Sequence, residues 1–302
     1  MAMVQYGVWP NCCNACKFCL RLNRDTWSTR YIIRRIRSIR KNIKTIDWKN
    51  DFKDGISLLG GELYFMTDEK IQNEFLLLID DIIEFILKPN PRAVYSTVTN
   101  GLYDPTFLFK VLDKIKDAVG IKRIDINFSY DIKYRYDSKA REQLCIENAK
   151  KVIQRYNYKL SVQTILTQYL IDAIMKNEFN IDNFEKNVIP GCQIAFLYPH
   201  PINPKLPPLD DFMFNRHSFL EFIKFLSEKY PMHLENFYCS VENSGVFKYT
   251  GMRNVSGTSE QKPILSDGKE KLNPICHHST LYQCYSDSDN CMLCDLKGLL
   301  CL

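Results

Sequence analysis

Pro10-Asn-Cys-Cys-Asn-Ala-Cys-Lys-Phe-Cys-Leu20 carries thiols at the spacing Cys12-x-x-x-Cys16-x-x-Cys19. Thiolates are soft ligands that hold iron–sulfur clusters or zinc. In a four-iron cubane, three protein thiolates leave one iron open to a small molecule, much as an open zinc position takes water or substrate. Zinc is the competing reading, because Cys13-x-x-Cys16-x-x-Cys19 is present in the same stretch. Just upstream, Met3-Val-Gln-Tyr-Gly-Val-Trp9 is an apolar run that reads as a first strand. The thiols therefore fall in the loop that leaves a strand. In barrels of alternating strands and helices, that C-terminal strand end is where chemistry sits.

Outward from this loop the pattern alternates. Strands are predicted over residues 55–59, 93–99, 124–129, 160–166 and 193–198. Helices are predicted over about 28–44, 68–87, from Pro105 to about 119, 138–154, 169–177 and 216–229. The residues between 177 and 193 read as irregular. Six such β/α units cover roughly 230 residues. Alternation of this kind calls for a parallel sheet covered by helices. Six units are too few for an eight-fold barrel. By itself the pattern fits both a partial barrel and an open, doubly wound sheet.

A second motif stands where the second strand ends, Leu59-Gly60-Gly61-Glu62. Glycines let backbone carbonyls approach a ligand with no Cβ in the way, and a carboxylate is a charge-assisted acceptor for an ammonium. The cysteine triplet followed by this bend resembles the radical S-adenosylmethionine (radical SAM) superfamily. The resemblance implies a partial (β/α)6 TIM-like barrel with a [4Fe–4S] cluster on Cys12, Cys16 and Cys19. It implies that the open iron chelates the amino and carboxylate groups of S-adenosylmethionine, whose reductive cleavage yields a 5′-deoxyadenosyl radical. It also places Phe18 on the adenine and Gly60, Gly61 and Glu62 on the methionine part. Thr99-Asn100-Gly101 and Ser129-Tyr-Asp131, at the third and fourth strand ends, are then candidates for nucleoside or substrate contacts, with Gln163 and Thr164 less defined. Each of these polar residues equally fits a helix cap or turn. A one-electron donor such as flavodoxin or ferredoxin follows from the same resemblance.

Past residue 232 the alternation gives way to Gly, Ser and Asn, so a barrel over 1–232 and an extension over 233–302 are expected. Asp267-Gly268 is a hairpin turn signal, and Cys276, Cys284, Cys291, Cys294 and Cys301 follow it. This resembles the SPASM/twitch auxiliary-cluster extensions, which implies a second [4Fe–4S] cluster on Cys276, Cys291, Cys294 and either Cys284 or Cys301. Structural zinc is the rival there, with His277 and His278 close by. The Pro-rich loop Tyr198–Pro208 leaves the sixth strand and carries His200, which reads equally as substrate-mouth machinery and as a surface side chain in a spacer.

Composition sets outer bounds. The chain has 302 residues, 45% hydrophobic, with no apolar run long enough to span a bilayer. Cys12 and Cys13 fall where a signal peptide would have its apolar core, so a cytoplasmic location is expected. Twelve cysteines bunched at the two ends favour metal sites over disulfides, and the isolated Cys145, Cys192 and Cys239 read as small core hydrophobes. A net charge of +5 is mild. Arg30, Arg34, Arg37, Lys41 and Lys44 recur opposite an Ile32, Ile36, Ile39, Ile43 stripe. That cationic face reads as the solvated outside of a barrel helix or as a landing surface for an acidic partner. The motif begins close to Met1, which disfavours a leader-binding module ahead of the barrel. Two functions stand against each other. One is a radical SAM enzyme that abstracts hydrogen from a peptide, nucleotide or small metabolite. The other is a non-catalytic, zinc-stabilised nucleic-acid-binding module.

Overall fold

The computed structural model describes residues 3–14, 16, 27–46, 54–197, 215–234 and 237. Phe18, Cys19, His200, Cys239 and the cysteines from Cys276 to Cys301 lie outside the described residues, as does nearly all of the expected extension. Among the described residues six strands form, β1 (Met3–Gly7), β2 (Gly55–Leu59), β3 (Val94–Thr99), β4 (Ile124–Ser129), β5 (Leu160–Ile165) and β6 (Cys192–Leu197). They alternate with helices α1 (Thr29–Ile43), α2 (Glu69–Ile82), α3 (Thr106–Val119), α4 (Lys139–Tyr156), α5 (Gln168–Met175) and α6 (Arg216–Lys229). The described residues fall into two compact units. One takes in those up to Gln163 together with Asp182–Gln193; the other takes in Thr164–Ile181 and those from Ile194 onward.

Local chemistry explains the helix ends. Ser28, Asp68, Ser138, Thr167 and Asn215 each cap a helix by accepting a hydrogen bond from an N–H of its first turn. Gly120 stops α3 with φ at +87°, and Asn157 stops α4 in the left-handed region. The apolar run read as one helix to Leu87 is α2 continued by a π-helical turn, Ile83–Leu87. The stretch read as irregular contains helical turns at Ile181–Asn183 and Phe184–Val188, anchored by the buried Ile181 and Phe184. Turns that short show no periodicity.

Strand order decides between the two folds left open by alternation. The sheet runs β1-β2-β3-β4-β5-β6, with parallel pairing between successive strands from β1 to β5. A right-handed crossover that always steps the same way puts every helix on the same face. A doubly wound sheet reverses its strand order to cover both faces, and this sheet does not. Burial follows suit. Val4, Tyr6, Ile56, Leu58, Tyr95, Ile126, Phe128 and Val162 alternate along the strands and are fully or almost fully buried. Their neighbours Gln5, Gly7, Asp125, Ser129, Ser161 and Gln163 point the other way and are half-exposed. Ser57, Ser96 and Asn127 share that second face and are buried, so the sheet has one apolar face and one mixed face, the arrangement of a partial (β/α)6 barrel.

The stripe Ile32, Ile36, Ile39 and Ile43 is buried, as its spacing predicts. Part of the cationic face of α1 meets acids on the adjacent α2. Arg37 pairs with Glu74, Arg40 with Asp81 at 2.6 Å, and Lys44 with Asp81 at 3.2 Å. These pairs neutralise charge inside the molecule, which favours the outer-face reading of this helix over a landing surface. Among the described residues no helix is long and apolar enough to cross a membrane.

Candidate functional site

The segment leaving β1 runs against the bend leaving β2. Val8 N–H donates to the Leu59 carbonyl, Gly61 N–H to that of Trp9 and Glu62 N–H to that of Asn11, each at 2.8 Å. The Trp9 indole N–H donates to the Glu62 carbonyl at 3.1 Å. A Cβ at Gly61 would collide with the carbonyl oxygens of Pro10 and Asn11. Glycine is required here because two backbones touch. The neighbour it admits is the cysteine loop itself.

Glu62 is 1% exposed. One carboxylate oxygen accepts from Thr99 Oγ1 at 2.9 Å, the other from the Asn100 N–H at 2.6 Å. Burial pushes this carboxyl up from its ordinary value to about 8, against the pull of those two donors. Glu62 thereby ties the end of β2 to the end of β3. Thr99 Oγ1 also meets the Tyr103 hydroxyl at 2.5 Å. Below them the Tyr64 hydroxyl bonds Thr97 at 2.9 Å and Tyr95 at 3.0 Å. The result is a satisfied polar seam on the covered face.

The thiols sit on top of this seam. Asn100 Nδ2 lies 3.5 Å from both Cys12 Sγ and Cys13 Sγ. The Asn14 backbone N–H donates to Cys12 Sγ at 3.4 Å, and Asn14 Nδ2 to Cys16 Sγ at 3.1 Å. Arg135, beyond β4, places a guanidinium nitrogen 3.6 Å from Cys16 Sγ. A hydrogen bond from the Cys13 thiol holds the Cys12 thiol down at about 6 and raises Cys13 in return. The loop is clamped from the same side: Arg141 donates to the Cys13 carbonyl at 2.8 Å and Asn14 Nδ2 to the Arg135 carbonyl at 2.9 Å.

The structure brings together Cys12, Cys16, Gly60, Gly61, Glu62, Thr99 and Asn100. Ser129 closes β4 half-exposed, and among the described residues no hydrogen bond ties its hydroxyl to the cysteine loop. Asp131 is buried and accepts from the N–H groups of Lys133 and Tyr134 at 3.0 and 2.7 Å, so it shapes a turn. Cys145 and Cys192 are buried free thiols, as expected of small core residues. Asn14, Arg135 and Arg141 were not singled out by sequence. Motif spacing carries no sign of the two arginines, which arrive from the loop after β4 and from the first turn of α4, more than 100 residues away.

Sulfur atoms ringed by amide and guanidinium N–H groups are set up to carry negative charge, which is what a thiolate ligand needs from its surroundings. The residues present therefore fit a soft, thiolate-held metal group. Among the described residues, Cys12 and Cys16 are the members of the expected triplet, and no His, Cys, Asp or Glu side chains there gather into a group of three or more that could hold a metal.

No protein-family model matches the chain, and no curated protein matches it. Among solved structures it is similar to Streptococcus suis SuiB, with a TM-score of 0.47 and 18% identity over 76% of this chain and 46% of that one. It is similar to native anSMEcpe with bound AdoMet and the Kp18Cys peptide, with a TM-score of 0.49 and 14% identity over 78% of this chain and 62% of that one. A third likeness is to native anSMEcpe with bound AdoMet, with a TM-score of 0.44 and 16% identity over 78% and 62% of the two chains. The chain spans 46% to 62% of the length of these structures. The chain's own parallel six-stranded sheet has the strand order of a partial (β/α)6 barrel.

Proposed function

We propose that the protein is a radical SAM enzyme. The observation that carries this reading is the backbone lock between the Cys12–Cys16 loop and the Gly60-Gly61-Glu62 bend at the C-terminal ends of β1 and β2. Cys12, Cys16 and Cys19 would hold a [4Fe–4S] cluster. When bound, the cluster and S-adenosylmethionine supply an electron and a 5′-deoxyadenosyl radical that abstracts hydrogen from an unreactive carbon. The rest is the work of the chain. Asn100 and Asn14 orient the thiols, and Arg141 holds the loop backbone. Among the described residues the carbonyls of Gly60 and Gly61 accept no hydrogen bond, which suits them to the ammonium of the methionine part. Glu62 holds the bend from beneath. Phe18 would face the adenine, and Ser129 the nucleoside or substrate.

The finer assignments belong to the same proposal. Residues 233–302 would form a SPASM/twitch-like extension carrying a second [4Fe–4S] cluster, and a flavodoxin or ferredoxin would deliver the electron. After anaerobic reconstitution the protein should be brown, contain iron and sulfide, and form 5′-deoxyadenosine from S-adenosylmethionine under reduction. Cys16→Ala should abolish that product. A colourless protein holding only zinc would overturn the reading.

A further inference from the structure

The four donors that meet the two ligand sulfurs are not alike. Cys12 Sγ is met by the Asn14 N–H at 3.4 Å and by Asn100 Nδ2 at 3.5 Å, both neutral amides. Cys16 Sγ is met by Asn14 Nδ2 at 3.1 Å and by Arg135 Nη1 at 3.6 Å. Of these four donors Arg135 alone carries a charge. It reaches Cys16 across 119 residues of sequence.

The guanidinium is held in place from several sides. Asn14 Nδ2 donates to the Arg135 carbonyl at 2.9 Å as well as to Cys16 Sγ, so one amide spans the thiol and the backbone that carries the cation. Upstream, Asp131 shapes the turn through the Lys133 and Tyr134 N–H groups. Downstream, Ser138 caps α4, and Arg141 in its first turn fastens to the Cys13 carbonyl at 2.8 Å. Arg135 is half-buried, where charge is screened less than at full exposure. Asp131 lies within electrostatic reach of the same guanidinium and offsets part of its charge, but its carboxylate is already engaged by those two N–H groups.

A thiolate-held cluster gains one negative charge when it is reduced. A donor beside a ligand sulfur stabilises the reduced state more than the oxidised one and raises the potential. A neutral amide does this through its dipole, whereas a guanidinium adds a full charge. We infer that Arg135 is a positioning residue for the electron step: acting through Cys16, it raises the reduction potential of the cluster held there. The inference rests on the proposed function for the cluster itself.

The reconstituted full chain, without S-adenosylmethionine, is titrated with reductant and followed by EPR. The signal of this cluster is the one missing from Cys16→Ala. Arg135→Gln keeps a donor and loses the charge. It should move the reduction equilibrium about tenfold or more towards the oxidised state, a fall of about 59 mV for one electron, at unchanged iron and sulfide content. Arg135→Lys keeps the charge and should stay within about threefold of wild type. A fully loaded Arg135→Gln at the wild-type potential overturns the inference. So does an Arg135→Lys that falls as far as the Gln variant, because charge is then not the agent.

If Arg135→Gln assembles no cluster, pulsed EPR of the wild type decides. Protein labelled with nitrogen-15 on its arginine guanidinium groups should show a label coupling in the reduced signal, and Arg135→Lys should lose it. No coupling, or one that survives in Arg135→Lys, overturns the inference. Wild-type 5′-deoxyadenosine formation is measured in parallel. A cluster that responds to Arg135 but makes no 5′-deoxyadenosine breaks the proposed function and leaves the role of Arg135 standing. One that makes it while its potential ignores Arg135 breaks only this inference, and a protein holding only zinc breaks both.

Discussion

The two faces of the sheet are built from the same strands with different chemistry. Leu58 and Ser57 are neighbours on β2 and both are buried, yet Leu58 lies among apolar side chains and Ser57 belongs to a polar row with Gln5 and Ser96. The two carboxylates differ in the same way. Glu62 lies on the covered side, fully engaged and pushed up to about 8 by burial. Asp125 lies on the other side, half-exposed, and accepts from Ser96 and Asn127. The difference teaches that one face is packed with apolar side chains, while the other keeps polar groups that pair with one another.

That contrast can be broken by mutation. The largest effect on stability is expected on the covered face, where Leu58→Ala removes a fully buried side chain. It should cost about 2–5 kcal/mol in chemical denaturation; a loss below about 1 kcal/mol would mean the helices do not pack there. Next comes Glu62→Ala, which strands the Asn100 N–H and the Thr99 hydroxyl. About 1–3 kcal/mol should go, and the loop thiols should react faster with alkylating reagents as the bend loosens.

The third test uses pH. Because the folded Glu62 carboxyl sits above its unfolded value, the folded state holds a proton that the unfolded state releases first. Its contribution to stability is complete below the ordinary carboxyl range and is lost as pH climbs to about 8. The metal-free protein should therefore lose stability from about pH 5 to 8, and Glu62→Gln should flatten that slope. A slope unchanged in the Gln variant assigns the effect elsewhere. The smallest effect is expected at Ser57→Ala. Ser57 is buried, but the change removes one hydroxyl and no carbon, so it should cost about 1 kcal/mol or less, and a loss like that of Leu58→Ala would erase the distinction between the faces.

Much of the frame is legible in the chain. The spans of β2, β4 and α6 read from sequence agree with the structure to the residue, because Gly55, the alternation of Ile124–Ser129 and the Asn215 cap mark them. The faces were harder to read. β4 and the start of β5, Leu160-Ser-Val-Gln163, alternate openly; β2, Gly-Ile-Ser-Leu-Leu, reads as a plain buried run. Its Ser57 acquires meaning only when register places it between Gln5 and Ser96, residues 52 and 39 positions away. Strand order, which separates a partial barrel from a doubly wound sheet, is likewise a tertiary fact. The site divided along the same line. Cys12, Cys16 and the Gly-Gly-Glu bend are local patterns, whereas the clamp by Arg135 and Arg141 depends on how the loop beyond β4 and the start of α4 come back over the cysteine segment.

Glu62 has a further consequence for motion. Its N–H and carbonyl bond the cysteine segment while its carboxylate bonds the tip of β3. Three strand tips are thereby joined into one cooperative opening unit. The thiols cannot fray singly, so the amide protons of Gly61, Glu62 and Asn100 should exchange with solvent at a common rate, however far apart they stand along the polypeptide.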